Sequence, residues 1–443
     1  MQNTRPSPAG FIITWIGQAV SLLGSAMTWF ALTIWAYEST GRATAMVLIS
    51  IFAFGPAIVL SPFAGALVDR WDRKLVMMVS DLTAGLATII ILLLYISGDM
   101  ELWHVYLVGL LAGVFQAFQF PAYSAAITMM VSKEQYARAN GMIQLAGSAS
   151  GILAPFVAGV LLGLIGVAGI MAIDIITFVI AIAALLLVRI PSPPVTEEGR
   201  AGQGSLWQES IYGFRYILKR PGLLLLELLF AGGNLVDYAG FILFAPMILA
   251  RTGNDEFVLG SVQSAGAVGG FLGGLLLSMW GGPRRRIHGV LLGWGLASVA
   301  MMLVGLGQAL PIWICAGAAY AFFEPIVNGC DQAIWQAKVA PGVQGRVFAT
   351  QTLISHITMP IAMLLAGLLA DHIFEPAMMQ GGLLAETFGW LVGAGPGAGM
   401  ALMIVGAGLL GCAVPLLGYA LRAVRDVEKI LPDYDVVPSE MTL

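Results

Sequence analysis

Charge is what this sequence has least of. Asp, Glu, Lys and Arg make up 10% of its 443 residues, where a soluble chain would carry about a quarter. Hydrophobic residues reach 58%, and the mean hydropathy is +0.87. So few charges cannot clothe a water-facing surface of this size, which excludes an ordinary soluble domain and leaves a chain that crosses a membrane repeatedly. Cysteine is scarce as well. Cys315, Cys330 and Cys412 lie in apolar runs, at spacings that suit neither a metal site nor a disulfide framework. The four histidines, His104, His288, His356 and His372, are scattered, and no nucleotide motif or nucleophile–base grouping appears. The sequence therefore points to no enzyme, no cofactor, no metal and no nucleic-acid partner. The first apolar run, 11–37, is too long for the core of a cleavable signal and reads as a membrane helix.

Long apolar runs are what the chain does have. A hydrocarbon core of about 30 Å needs roughly 20 apolar residues per helix. That rule predicts twelve spans: 11–37, 43–67, 75–98, 102–130, 139–165, 167–189, 222–250, 256–281, 287–309, 311–336, 347–370 and 397–421. Alternating strand patterns are absent, so the expected fold class is an all-α polytopic membrane protein. With both termini placed in the cytoplasm, all of the 21 Lys and Arg except Arg42 and Arg251 fall on the cytoplasmic side. So lopsided a split predicts that orientation, in a cell membrane.

One long polar interval interrupts the pattern. "PSPPVTEEGRAGQGS" (191–205) reads as a linker, followed by "LWQESIYGFRYILKR" (206–220), whose spacing suits a helix along the cytoplasmic surface. The flanking halves echo one another: Thr40-Gly41 with Thr252-Gly253, Gly65 with Gly274, Trp71 with Trp280. The expected organisation is a six-helix bundle (1–190), a linker with surface helix (191–221), a second six-helix bundle (222–421) and a cytoplasmic tail (422–443), related by a pseudo-two-fold axis. Glycine or proline recurs every fourth residue in span five (Gly147, Gly151, Pro155, Gly159, Gly163) and glycine in span eight (Gly266, Gly270, Gly274), which predicts close helix packing there. The outer segment 372–399 is predicted to hold a short interfacial helix.

Five of the six positions from Asp69 to Lys74 are charged, in a loop between two apolar spans. Gly65, Asp69, Arg70, Arg73 and Lys74 match the G-x-x-x-D-R-x-x-R-[KR] loop signature of the major facilitator superfamily, which the whole chain resembles. The wording "SPFAGALVDRWDRK", "DIITFVIA" and "WQAKVAPGVQGRVFA" is most similar to its drug:proton antiporter branch, which holds macrolide-efflux and enterobactin-exporter proteins. The resemblance implies a cytoplasmic gate of Gly65, Asp69, Arg70, Arg73, Lys74, Asp81 and Arg346. In it Asp69 meets the start of span eleven near Arg346, and the arginines bridge to Asp72 or Asp81. The counterpart of Asp69 in the second half is Ser278, which cannot supply the acid.

Apart from Arg189 at the end of one span, no Lys or Arg lies within the predicted spans, yet Asp81, Asp174, Glu227, Asp237, Glu324 and Asp331 do, with Glu256 at the end of another. An ionised carboxylate at mid-helix costs roughly 2.5–3.5 kcal/mol on insertion scales. Such acids must face a wet cavity or hold a proton. Glu324 and Asp237 are nearest mid-span, and Glu324, Asn328, Asp331 and Trp335 form one helical stripe. Glu324 is therefore the first candidate for proton coupling, followed by Asp237 and Asp331. A structural acid at the Pro325 kink is the competing reading. Asp174, in its "DIITF" context, is expected to be structural. Candidate cavity residues are Gln18, Ser25, Gln116, Gln119, Tyr123, Asn234, Tyr238 and Asn328. The resemblance places them on the cavity-lining spans one, four, seven and ten. His356 reads either as a proton relay or as a helix–helix hydrogen bond. Many exporters of the family carry an Arg in span four, where this chain has Gln116 and Gln119.

The expectation is a proton-coupled exporter of amphipathic small molecules, monomeric by family resemblance and embedded in the lipid bilayer. Its rivals are a siderophore or lysophospholipid carrier on the same fold, and a non-transporting receptor or scaffold.

Overall fold

The computed structural model describes residues 8–40, 43–191 and 206–434, and every regular element among them is helical. In chain order these are α1 (Pro8–Thr40), α2 (Ala43–Arg70), α3 (Arg73–Ser97), α4 (Leu102–Met130), α5 (Tyr136–Leu187), α6 (Leu206–Leu218) and α7 (Pro221–Phe241). They continue with α8 (Phe244–Thr252), α9 (Glu256–Trp280), α10 (Arg286–Leu306), α11 (Leu310–Lys338), α12 (Gln344–Leu369), α13 (Leu383–Val392) and α14 (Ala398–Ala420). The expected linker falls outside the described residues from 192 to 205, as does the tail from 435.

Ten helices among the described residues are long and apolar enough to cross a membrane. The 28-residue α2 is equally apolar. α5, with 52 residues, is two passes. Trp15 donates its indole N–H to the Met142 carbonyl at 2.8 Å, while Gly17 packs on Ala184. Met142 and Ala184 would stand about 60 Å apart on a straight helix, so a chain that returns to the same turn of α1 must double back. It does so at Gly166, whose φ of 66° and ψ of −176° leave helical geometry. Counting both passes and α2 gives the twelve expected.

Gly166 adopts a conformation that only glycine visits readily, and nothing lies within 4 Å of where a Cβ would sit. Gly166→Ala is therefore expected to cost about 1–3 kcal/mol from backbone strain alone. A melting temperature in detergent equal to that of the parent would contradict this.

Caps sharpen the other ends. Asp72 accepts from the Leu75 N–H at 3.0 Å and starts α3, and Gly98, at φ 81°, stops it. The predicted span 222–250 proves to be two helices, α7 and α8, separated by Ile242 and Leu243. α13 supplies the helix expected in the outer segment, with Leu383 and Trp390 more than 80% exposed.

In the first half α1 packs on α5 and α2 on α4; in the second, α9 and α10 pack on α11. Between the halves α2 meets α12 and α5 meets α9. The glycine expectation needs correction for span five. Gly147, Gly151, Gly159 and Gly163 face open space, because that side of α5 has no neighbour. The tightest small-residue contacts are instead Gly269 and Gly273 of α9, against the Ala318 and Phe322 carbonyls of α11. Beyond α14 the chain folds back under the second half. Lys338 bonds the Glu428 carbonyl at 2.7 Å and Asp433 at 2.7 Å, and also reaches the Leu431 carbonyl. Arg285 bonds Asp426 at 2.8 Å and holds its carboxyl below the usual carboxylate range.

Candidate functional site

One end of the bundle carries the loop signature and most of the contacts that join the halves. Asp69 accepts from the Gly345 N–H at 2.7 Å and the Arg346 N–H at 3.0 Å, so its carboxylate sits on the N-terminus of α12. Exposed peptide N–H groups make a helix start the natural partner for a negative charge. The Arg346 guanidinium adds an ion pair to Asp69 at 3.4 Å. Gly65 permits the approach, since a Cβ there would run into the Gly345 carbonyl.

Glu209 of α6 completes the cluster. Its carboxylate is fully buried and takes Arg70 at 2.7 Å from the first half and Arg346 at 3.3 Å from the second. Arg73, the first residue of α3, donates to the Ala125 carbonyl at 2.8 Å and reaches the Pro341 carbonyl just before α12. The same clasp recurs in the second half. Arg286, the first residue of α10, reaches the Lys133 carbonyl just before α5. The arginine is thus kept in both halves. Where Ser278 replaces the acid, Arg138 instead donates to the Met279 carbonyl at 2.7 Å. Polar side chains add further cross-links at this level: Thr128 to Gln344 at 2.9 Å, Asn140 to Gln336 at 2.7 Å and Gln332 to Ser124 at 2.6 Å.

A cavity lies between the halves, beyond this seam, in two lobes that share Phe120, Tyr123 and Ile143. The larger lobe, about 350 Å³, is walled mainly by the second half; the smaller, about 280 Å³, by the first. All eight candidate cavity residues lie on these walls. Gln18, Ser25, Gln116 and Gln119 line the smaller lobe, Asn234, Tyr238 and Asn328 the larger, and Tyr123 both. Glu324 opens onto the larger lobe, with no hydrogen bond to its carboxylate found among the described residues. Asp237, also on that lobe, accepts from the Tyr320 hydroxyl at 2.8 Å. Neither wall contains a Lys or Arg. His356 lines the larger lobe with its Nδ1 3.0 Å from the Thr352 carbonyl of its own helix, so it is not the bridge between helices weighed above.

Three expected residues fall elsewhere. Asp81 is no part of the gate. It lines the smaller lobe, where Gln18 and Gln119 donate to it at 2.7 and 3.0 Å, two turns of helix away from Arg73. Lys74 does not cross between the halves either. It caps the end of α5 through the Val188 carbonyl at 2.7 Å, a position that suits a cation. Asp331 leaves the cavity stripe. It is 4% exposed and accepts from Gln351 of α12 at 2.9 Å, and Gln332 takes its place on the wall. Asp72 caps α3 and forms no bridge to Arg70. The sequence reading missed Glu209 and Tyr320. Glu209 had one signal, a lone acid on a surface helix beside a strongly basic loop; Tyr320 had its position one turn before Glu324.

Comparisons with known proteins bear on the family and the fold. The Major Facilitator Superfamily model matches residues 14–363. The macrolide efflux protein A of Streptococcus pyogenes is 30% identical over 368 residues, covering 82% of this chain and 90% of that protein. The enterobactin exporter EntS of Shigella flexneri is 26% identical over 317 residues, 70% of each. Among solved structures, a bacterial homologue of the iron transporter ferroportin in an outward-facing state superposes with a TM-score of 0.70 at 14% identity, covering 92% of this chain and 98% of that one. The human organic anion transporter MFSD10 gives 0.62 at 15% identity, covering 91% and 98%. At these identities the structures bear on the fold alone.

Proposed function

This chain belongs to the Major Facilitator Superfamily, and from that premise we propose that it exports amphipathic small molecules by proton-coupled alternating access. The bundles 1–190 and 222–421 rock about the central cavity, and the 191–221 segment links them. The basic end faces the cytoplasm and is shut in the conformation described. The observation that carries the coupling is Glu324, an acid without a hydrogen-bond partner among the described residues, on a cavity wall that holds no Lys or Arg. In that position it can take a proton when the cavity is empty and release it as cargo enters. Asp237, tied to Tyr320, is the second acid within reach. Phe120, Phe230, Trp294 and Tyr320 present aromatic surface to the same lobe, which suits an apolar or aromatic cargo. The efflux names of the relatives supply the direction. A siderophore, suggested by the likeness to the enterobactin exporter, or a lysophospholipid is the alternative cargo class.

The test uses inverted membrane vesicles loaded with acid and given a panel of amphipathic compounds. Cargo-dependent proton release is expected in the wild type, and Glu324→Gln is expected to reduce it to the level of empty vesicles. Release that persists in the variant assigns coupling to Asp237. Labelled cargo that crosses with no proton movement at all rejects the antiport reading.

A further inference from the structure

We propose that Asp174, with the hydroxyls of Ser25, Thr28 and Thr88, forms a site for a hard monovalent cation of sodium type, entered from the smaller lobe of the cavity. Asp174 stands on the second pass of α5 and is 3% exposed. Its Oδ1 accepts from the Ser25 hydroxyl at 3.0 Å and its Oδ2 from the Thr88 hydroxyl at 3.1 Å. Thr28, 5% exposed and one turn beyond Ser25 on α1, turns a buried hydroxyl toward the same carboxylate without completing a hydrogen bond of normal geometry. All four residues line a void of about 40 Å³ between α1, α3, α4 and α5. Ser25, Trp29, Thr88 and Asp174 border both this void and the smaller lobe, so an ion would have a path in. α1 is drawn close by Gly24, where a Cβ would come within 3.2 Å of the Asp174 backbone.

The chemistry narrows the ligand. A carboxylate withdrawn from water needs compensating charge, and hydroxyl groups supply hydrogen bonds but no charge. No Lys, Arg or His lines the void or the smaller lobe. An all-oxygen donor set selects hard cations over transition metals. A single carboxylate balances a single positive charge, whereas calcium and magnesium sites recruit more acids or keep several waters. The void has room for about one water-sized sphere or a few, which fits a small desolvated ion. When the ion enters, Ser25 and Thr88 turn their O–H bonds away from the carboxylate and offer lone pairs. Thr28 then gains a ligand at full bonding geometry.

The experiment is thermal melting of the purified chain in detergent across a sodium chloride series, with choline chloride holding ionic strength constant. The wild-type melting temperature is expected to rise saturably with sodium. Thr28→Val keeps the shape and loses only the hydroxyl. It is expected to raise the half-saturating sodium concentration at least about tenfold, with little change of melting in choline. Asp174→Asn is expected to lose the response. Equal melting in sodium and choline overturns the proposal. So does a sodium response left unaltered by Thr28→Val, which decides the matter even if Asp174→Asn does not fold. Cargo and proton gradients play no part in the readout, so its outcome is separate from that of the transport assay.

Discussion

Gly65→Val is expected to leave the basic end of the bundle unable to close and to abolish transport. The added side chain would meet the Gly345 carbonyl and the Ala349 methyl, both backed by the buried body of α12. Neither can give way, so α2 and α12 must part. Parting them withdraws Asp69 from the Gly345 and Arg346 N–H groups. Each hydrogen bond to a charged group is worth about 1.5–3 kcal/mol, and about 1.4 kcal/mol is a tenfold change in an equilibrium. Loss of both shifts the closed–open equilibrium by at least about a hundredfold. The readout is a single thiol at Asn328→Cys on the cavity wall, in a background with Cys315, Cys330 and Cys412 replaced. A membrane-impermeant maleimide applied from the basic side should label it rapidly in Gly65→Val and slowly in the parent. Equal labelling would remove the helix approach at Gly65 from the account of closure.

Glu209→Ala is the second change with a large expected effect, and it concerns a residue outside the loop signature. Glu209 is the counterion shared by one arginine of each half, and Arg346 is itself only 3% exposed. Removing one partner of a buried pair leaves an uncompensated charge, at a cost of about 3–5 kcal/mol. Asp69 remains beside Arg346 at 3.4 Å and offsets part of this. A double-mutant cycle in melting free energy should therefore give strong coupling between Glu209 and Arg346. Coupling between Glu209 and Arg70 should be smaller, because Arg70 is 39% exposed and screened by water. The reverse ranking would mean that α6 is held by its surface charge and not by the seam.

These two sites also mark what the sequence could and could not disclose. Spans were legible because an apolar run of one membrane thickness has few other uses, and the turn at Gly166 fell where two such runs abutted. The cavity residues were legible because a Gln, Asn or Tyr on an apolar helix needs a polar place to go, and all eight found one. Asp331 was misplaced for a geometric reason. The wall of α11 follows Glu324, Asn328 and Gln332, the inclined i, i+4 row, as the helix crosses its neighbours. A stripe drawn straight along the axis picks Asp331, which in the fold turns to Gln351. Asp81 was drawn to the gate by chain proximity to Arg73, although two helical turns separate charge from charge. Glu209 was hidden because its partners come from α2 and α12, and no local pattern links them.

The doubling back at Gly166 bears on how the chain enters its membrane. Within α5 the stretch between the two passes has no charged residue from Ala139 to Ile173 and no loop of its own. A ribosome-bound insertion channel would receive 52 helical residues without a polar pause to hold one pass while the next is made. The two passes form a helical hairpin without a polar loop, with Arg138 before it and Arg189 after it at the same end. The reversal of direction in the first half thus falls on the conformation of a single glycine.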